Sequence, residues 1–367
     1  IIGTRSSIFL PLAVGAEIIV VNDQNFTNYE TRYPHWNVRD IALLRSKNFA
    51  LTFYGHSPSL EISRLIETSW MRTGQGVKEK SEIHFNDGKI SWQTVVKKYS
   101  QKGPILILVP DRGYVNSLVC QNCRNLYKCE CGGRLVISEF SNSPQCFLCK
   151  RNFKSLLCKY CQNSRVLEYN KGSLRISAEL GKQFPGLKIV NAKNELNYRE
   201  LKSRTILVST YENVPIIEYA AVVAQNFERF GNRGELRATE IARNTLFDLL
   251  ALKADSYFFD VASNSYFGQI ANRANPLQAA SVELRDRENA KLPPFVGIVL
   301  VEGDSKFKEI AQDQPFILEA NYVNGRTVLK SGISDRGKVI DFLTGVMKYR
   351  ALKKLKPWHI EMDPLSI

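Results

Sequence analysis

Cys120-Gln-Asn-Cys123-Arg-Asn-Leu-Tyr-Lys-Cys129-Glu-Cys131, continued by Cys146-Phe-Leu-Cys149 and Cys158-Lys-Tyr-Cys161, is the stretch whose reading decides the architecture. All eight cysteines of the 367-residue chain lie in it. Four close pairs supply eight thiolates, the ligand set of two tetrahedral Zn²⁺ ions. The competing reading is a disulfide cluster in a secreted protein. Against it, no signal-peptide pattern stands before the cluster, and the chain is far longer than the small scaffolds that depend on disulfides.

The spacing also predicts which cysteines share an ion. Gly132 to Gln145 holds the strand-like Leu135-Val-Ile137 and the turn-like Ser141-Asn-Ser-Pro144, a hairpin with a metal clip at its open end. Nesting then places Cys129, Cys131, Cys146 and Cys149 on an inner site. Cys120, Cys123, Cys158 and Cys161 form an outer one. Sequential pairing would demand a tight closure over Arg124 to Lys128. Cys129-Glu130-Cys131 has one intervening residue where two are usual, which sets the inner site apart.

Outward from the cysteines, composition narrows the class. An apolar content of 44% and a charged content of 23% are ordinary for a globular chain. No apolar run approaches the ~18 residues that span a bilayer, so no membrane is expected. Lys and Arg number 50 against 36 Asp and Glu, a formal +14. Two Zn²⁺–tetrathiolate sites would each carry −2, leaving about +10. That balance points to a polyanionic partner such as nucleic acid. Reduced cysteines and the lack of a targeting segment predict the cytoplasm. The chain opens at Ile1-Ile-Gly-Thr-Arg5 inside what reads as a strand, and is expected to be the later part of something longer or a truncated form.

Read in order, residues 1–75 alternate apolar runs and helical spacing as βαβ units do. Glu17–Val21 and Phe49–Tyr54 read as buried parallel strands and Ser59–Met71 as a helix; Arg72–Lys89 is sparse and polar. Pro104–Pro110 is a fresh buried strand. After the cysteines the α/β pattern resumes, with strands at Leu187–Asn191, Thr205–Thr210, Ala220–Ala224 and Tyr257–Val261 and a helix from Glu235 to Lys253. Two prolines in Lys291-Leu-Pro-Pro-Phe295 end the preceding helix. Beyond them the order is strand (Val296–Val301), helix, strands (Phe316–Asn321, Gly325–Leu329), helix (Asp335–Leu355), strand (His359–Met362), a small α+β unit.

Several stretches resemble, in order, those of the primosomal protein N′ (PriA) family of replication-restart helicases. Gly3-Thr-Arg-Ser-Ser-Ile-Phe9 is similar to its GTRSALF segment, and Tyr33-Pro-His-Trp-Asn-Val-Arg-Asp40 to its RYHARD segment. Ser57-Pro-Ser-Leu-Glu61 matches the end of GSATPSLE, and Asp111-Arg-Gly-Tyr114 matches NRRGY before the cysteines. Leu292-Pro-Pro-Phe295 and Met362-Asp-Pro-Leu-Ser366 match where the family's C-terminal domain opens and closes. The resemblance covers nearly all of this chain but not the family's N-terminal portion. It implies an α/β fold of RecA-like helicase lobes with an inserted two-zinc cysteine module, plus a C-terminal α+β domain. The expected division is 1–75, a remnant of helicase lobe 1; 76–117, the start of lobe 2; 118–165, the two-zinc module; 166–290, the rest of a degenerate lobe 2; and 291–367, the C-terminal domain. It also implies nested cysteine pairing. The implied partners are forked or single-stranded DNA, primosome and replicative-helicase loading proteins, and single-stranded DNA-binding protein. ATP is the implied nucleotide.

The departures from the family bear on activity. Its DEEH motif falls on Asn22-Asp-Gln-Asn25, where only Asp23 keeps a carboxylate for Mg²⁺ or water activation. The first half of GSATPS is altered at Tyr54-Gly-His-Ser-Pro-Ser59. QVAGRAGR should follow the helix after Arg237-Ala-Thr-Glu240, and the chain instead reads Leu249-Leu-Ala-Leu-Lys253. Loss of an arginine finger costs about 10³–10⁵ in turnover. The Walker A lysine would lie before Ile1. Such erosion resembles degenerate actinobacterial members, and no catalytic residue is expected. An active ATP-dependent 3′–5′ helicase and a zinc-ribbon module unrelated to replication are the rival readings.

Phe26, Tyr29, Tyr33 and Trp36 are candidates for stacking on single-stranded bases, with packing against the lobe as the competing role. Lys348, Arg350, Lys353 and Lys354, with Arg336, Lys338 and Lys356, make the last helix basic and are candidate phosphate contacts, although lysines also collect at solvated helix ends. In the cysteine module Arg124, Lys128, Arg134, Lys150, Arg151, Lys154, Lys159 and Arg165 face only Glu130 and Glu139, an excess of +6 that two zinc sites cut to about +2. His35 and His56 have no second ligand at metal spacing and read as structural. Asn232-Arg-Gly234 is a turn without the pattern of a phosphate loop.

Overall fold

The computed structural model describes residues 2–32, 35–74, 82–86, 92–139, 141–192, 201–211, 214–233, 235–303, 305–323 and 325–364. They form a mixed α/β structure in two compact units. One gathers residues 1–76, 231–247 and 274–367; the other gathers 77–230 and 248–273. The segments expected as a lobe remnant and as a C-terminal domain therefore fall in the same unit. No described helix is long and apolar enough to cross a membrane.

The second unit is built on a six-stranded sheet in the order Lys188–Asn191, Thr205–Ser209, Ile105–Leu108, Ala221–Ala224, Ser256–Phe259, Glu82–Phe85, with every neighbouring pair parallel. Its middle strands are buried throughout, because a parallel sheet carries its crossover helices on its faces. Val95, Val96 and Tyr99 of helix Trp92–Tyr99, and Ile176 and Leu180 of helix Ser173–Gln183, pack on Ile105, Ile107, Ile206 and Val208.

The cysteine module leaves this sheet just after Ile105–Leu108. Strand Val115–Cys120 runs out and Val166–Lys171 runs back antiparallel, Val115 opposite Lys171 and Cys120 opposite Val166. The base of this stem is laced shut by Gly172 N–H to Tyr114 O at 2.8 Å and Ser173 N–H to Asp111 O at 2.9 Å. Gly172 is required there: a Cβ would stand 2.4 Å from the Gly113 carbonyl oxygen. The hairpin differs from expectation in one place. Ser141–Cys146, read as starting with a turn, is a strand paired with Leu135–Ser138, with Ser138 opposite Ser141. Pro144 fits because that strand lies at the end of its sheet's order, where no ladder needs its missing N–H.

In the first unit Glu17–Val21 and Ala50–Tyr54 pair in parallel, residue for residue from Glu17–Ala50 to Val21–Tyr54. Ile18 and Val20 pack with Val38, Ala42 and Ile8. The opposite face is open, with Ile19, Val21 and Tyr54 exposed, so these strands are buried on one side rather than both. The C-terminal sheet is antiparallel in the order Ile317–Val323, Arg326–Gly332, Val296–Glu302, His359–Met362. Helices Lys306–Gln312 and Arg336–Leu352 cover one face through Phe307, Ala311, Val339 and Leu343. Ile298, Leu300 and Val328 on the other face meet Leu236 and Leu292.

A buried ion network ties the pieces of the first unit together. Glu61 accepts from Arg39 at 2.8 Å and from Arg237, and Arg237 also binds Glu240 at 2.8 Å. Glu240 accepts the Leu60 N–H at 3.0 Å, and Ser59 accepts that of Ile62 at 3.2 Å, so both cap helix Leu60–Glu67. Arg243, fully buried, donates to Ser57 Oγ at 2.6 Å, to Pro58 O at 3.2 Å and to Glu283 at 3.2 Å. Arg287 meets Glu283 at 3.1 Å and donates to Leu236 O and Pro293 O. Burial opposes the charge on Glu61, but Arg237 and Arg39 hold its carboxyl well below the usual range.

Asp23 is the exception in this network. It accepts the Ser59 N–H at 3.3 Å through one oxygen, while the other, buried, has no partner among the described residues. Burial raises its carboxyl from 3.8 to about 6, against the opposing pull of Arg39 and Ser59. A carboxyl that binds its proton more tightly folded than unfolded contributes stability below about pH 4 that is lost as pH climbs through about 6, worth at most about 3 kcal/mol. Asp23→Asn is therefore expected to stabilise the protein by about 1–3 kcal/mol at pH 7.5 and hardly at all at pH 4. Urea unfolding at both pH values checks this, and an equal gain at both would remove titration as the cause.

Candidate metal centre

Four short loops place the cysteines. Strand Val115–Cys120 delivers Cys120, whose N–H bonds Asn125 O at 2.9 Å while Arg124 N–H returns to Cys120 O at 3.0 Å. Cys146 repeats the pattern with Arg151 and Lys150, and Cys158 repeats it with Asn163 and Gln162. In each loop the residue after the second cysteine has a left-handed backbone: Arg124 at φ 61°, Lys150 at 61°, Gln162 at 54°. This turn aims successive backbone N–H groups at the sulfur of the first cysteine, the geometry in which a thiolate is held.

The short pair follows the same design with one residue removed. Cys129 N–H bonds Gly133 O at 2.8 Å, Gly132 N–H bonds Cys129 O at 2.9 Å, and Gly132 takes the left-handed position at φ 83°. Glycine bears this conformation without strain. Gly133 must also be small, since a Cβ there would lie 2.5 Å from Cys146 Sγ. The contraction to Cys129-Glu130-Cys131 is thus absorbed by two glycines.

The structure brings together Cys120, Cys123, Cys158 and Cys161 in one tetrad and Cys129, Cys131, Cys146 and Cys149 in the other. Within each, the Sγ atoms all lie within 4.8 Å of one another. Cys120–Cys161 is 3.5 Å and Cys123–Cys158 is 3.4 Å; Cys129–Cys149 is 3.6 Å and Cys131–Cys146 is 3.5 Å. A tetrahedron with Zn–S bonds of about 2.3 Å has edges of about 3.8 Å, so both cages match a four-thiolate metal site to within a small expansion. Each tetrad could hold one ion, with every ligand position filled by protein and none left for a reacting water.

The thiols are electrostatically prepared. Asn125 N–H and the Asn125 side-chain amide, 3.3 Å away, pull Cys123 down to about 6. Cys146 also falls to about 6, because the N–H groups of Cys149 and Leu148 and the neighbouring thiols outweigh its burial. Burial, then contact with the other thiols, pushes Cys158 up to about 11. At Cys149 the Arg151 N–H pulls down, but the thiols of Cys131 and Cys146 push it up to about 11. Crowded thiols without a cation separate in this way, and a divalent ion removes the conflict by accepting all four as thiolates. The two tetrads sit in different surroundings. Cys120 and Cys158 pack in a core with Leu118 and Tyr127, whose hydroxyl is raised to about 12 by burial and by Cys120 and Cys158. The inner tetrad has Cys131 and Cys149 exposed, beside an exposed Arg151–Glu130 ion pair at 2.6 Å.

The candidate DNA-contacting residues divide by placement. Phe26 is half exposed. Tyr29 is buried and donates its hydroxyl to Met362 O at 3.0 Å, and Trp36 packs edge-on against Phe9 with ring centroids 4.9 Å apart. Tyr33 lies outside the described residues, as does Gly234 of the expected turn. Lys348, Lys353 and Lys354 are exposed. Arg350 lies over the Trp358 ring at 4.0 Å and donates to Lys356 O at 2.6 Å, so its guanidinium is occupied in shaping the chain after the last helix. His35 is buried against His359 and Tyr29, and burial lowers its pKa. Sequence reasoning did not find Arg243, Glu283 and Arg287 as a buried group. The i, i+4 spacing of Glu283 and Arg287 on a helix looks like an ordinary solvated pair, and Arg243 stands on another helix 40 residues earlier.

Comparison with known proteins adds relatives. No family model matches the chain. It is 26% identical over 338 residues to the probable replication restart protein PriA of Mycobacterium leprae, covering 83% of this chain and 52% of that protein. It is 24% identical over 343 residues to the replication restart protein PriA of Helicobacter pylori, covering 85% and 55%. It is 22% identical over 353 residues to that of Borreliella burgdorferi, covering 86% and 53%. This chain is similar to PriA. The resemblance read from its motifs is thereby borne out, and Mycobacterium proteins are among the relatives. The chain spans about half the length of the curated relatives it matches.

Proposed function

We propose that this chain is a replication-restart protein that binds forked or single-stranded DNA and helps primosome proteins reload the replicative helicase. What carries the reading is alignment with replication-restart proteins across 83% of the chain, with both cysteine tetrads carried on a stem that leaves a buried parallel sheet. The RecA-like lobes and the five-part domain division belong to this proposal, as do single-stranded DNA-binding protein as a partner and the cytoplasm as its place. Each tetrad holds Zn²⁺, an ion whose closed structural sites are built from four thiolates, in a structural role. The zinc module offers partners an exposed apolar set, Phe147, Leu148, Leu157 and Tyr160.

The motor is inactive in this reading. Asp23, the one carboxylate at the DEEH position, is buried and has one oxygen tied to the start of helix Leu60–Glu67, a poor position from which to hold Mg²⁺. ATP hydrolysis by the protein with and without fork DNA separates the readings. Turnover stimulated by forks at ordinary helicase rates would restore the active-helicase alternative. Equal affinity for forked and plain duplex DNA would favour the zinc-ribbon alternative.

Phe26 and the exposed lysines lead to a finer expectation. Phe26→Ala should weaken binding to single strands by about 1–3 kcal/mol if the ring stacks on a base. Lys353→Ala and Lys354→Ala should each flatten the salt dependence of duplex binding by about one unit of log–log slope if they contact phosphates. Tyr29→Phe should leave DNA affinity unchanged, since that hydroxyl is spent on Met362 O. Anisotropy titrations across salt concentrations read all three.

A further inference from the structure

The two tetrads are alike in ligand set and unlike in protection. Outer Cys120 and Cys158 are buried and Cys123 and Cys161 half-buried, with Leu118 and Tyr127 packed on them and the Asn125 amide on Cys123 Sγ. Inner Cys129 and Cys146 are buried, but Cys131 and Cys149 are exposed, on the loop shortened by one residue and on the loop after Phe147-Leu148. Arg151, a cation beside the inner site, is itself exposed and engaged with Glu130. An exposed metal thiolate is open to attack by peroxides and by competing chelators; a buried one must wait for the fold to open.

We infer that the inner tetrad is an oxidant-sensitive zinc site, with Cys131 and Cys149 as the points of attack and the outer tetrad as a permanent clamp; this rests on the assignment of zinc to both. A peroxide oxidises one exposed thiolate to a sulfenic acid, its O–O bond breaking and hydroxide leaving. A second thiolate of the same tetrad displaces hydroxide from that sulfur and forms an S–S bond. The two electrons lost by sulfur reduce the peroxide to two hydroxides, which take up protons, and Zn²⁺, left with two ligands, dissociates. The clip on hairpin Leu135–Ser138/Ser141–Cys146 is then undone while Cys120 and Cys158 still close the stem. A reductant and fresh Zn²⁺ reverse the change.

The test uses the full zinc-loaded chain treated with hydrogen peroxide. A zinc-responsive dye follows metal release, and alkylation with mass spectrometry at timed points locates the oxidised cysteines. One equivalent should leave at least about tenfold faster than the second, in line with the effect of differing surroundings on metal affinity. The early disulfide should lie among Cys129, Cys131, Cys146 and Cys149. Release of both equivalents at one rate, or oxidation of the outer cysteines first, overturns the inference and leaves the zinc assignment standing. Metal analysis before peroxide is added tests that assignment separately, and a chain without zinc would end both.

Discussion

Cys158→Ser is expected to strip one zinc from the protein and unfold the outer half of the cysteine module. Cys158 Sγ is 3.4 Å from Cys123 and buried with Cys120 against Tyr127. A serine hydroxyl is a poor Zn²⁺ ligand at neutral pH, where thiolate and imidazole are preferred. A structural Zn²⁺ contributes roughly 10–16 kcal/mol of apparent binding free energy, which in a small metal module is folding free energy. Little else offsets that loss, because the core around the site is largely the cysteines themselves with Val115, Leu118, Tyr127 and Leu135. Metal analysis should give one ion per chain, and limited proteolysis should open the stretch from Cys120 to Cys161. Two ions in the mutant would mean that Cys158 does not share an ion with Cys120, Cys123 and Cys161. The parallel sheet of the same unit should survive, since its core of Ile105, Ile107, Ile206 and Val208 has no part in the module.

The second large effect is at Arg243. Arg243→Ala should destabilise the unit that contains it by about 3–5 kcal/mol, the range for breaking a buried pair by removing one partner. It leads the fully buried side chains among the described residues in size, and its removal leaves a cavity, a Glu283 held by Arg287 alone, and Ser57 without that donor. Burial already raises the Glu283 pKa, against the pull of Arg243 and Arg287. With Arg243 gone the carboxyl can take up a proton instead of staying as a buried charge with Arg287 as its remaining cation, which limits the cost. The loss should therefore be larger at pH 8 than at pH 5. Since a folded unit holds only about 5–15 kcal/mol, chemical denaturation should show a strongly shifted midpoint. A loss under about 1 kcal/mol would mean that the network is solvated and worth no more than surface pairs.

Much of the metal centre was legible because its determinants are local. Cysteine spacing and the hairpin between Cys131 and Cys146 pointed to two nested groups, and each loop is closed by bonds within five residues of its first cysteine. The strands of the parallel sheet were legible for a similar reason: Ile105–Leu108, and residues 206–208 of Thr205–Ser209, are apolar at every position, which only burial on both faces tolerates. The turn expected at Ser141–Pro144 was misplaced because proline is permitted in an edge strand, and edge status is a property of the whole sheet.

The aromatic and basic candidates show the opposite case. Phe26, Tyr29 and Trp36 look equivalent in sequence, yet one is exposed, one is bonded to Met362 and one is packed on Phe9. Arg350 reads as a phosphate contact beside Lys353, and the structure engages it with Trp358. A partner 333 residues away, as Met362 is for Tyr29, cannot be inferred from local pattern.

Sequence alone thus determined the two sets of four thiols, the parallel strands and the kinship with replication-restart proteins, because spacing, apolar runs and motif order are carried by neighbours in the chain. Only the tertiary structure decided which thiols face water, how Arg39, Arg237, Arg243 and Arg287 are neutralised by Glu61, Glu240 and Glu283, and why the Asp23 carboxyl holds its proton more tightly than usual at a helix start. Burial and charge pairing depend on what segments far apart in the chain bring to one place, and that is set by the fold.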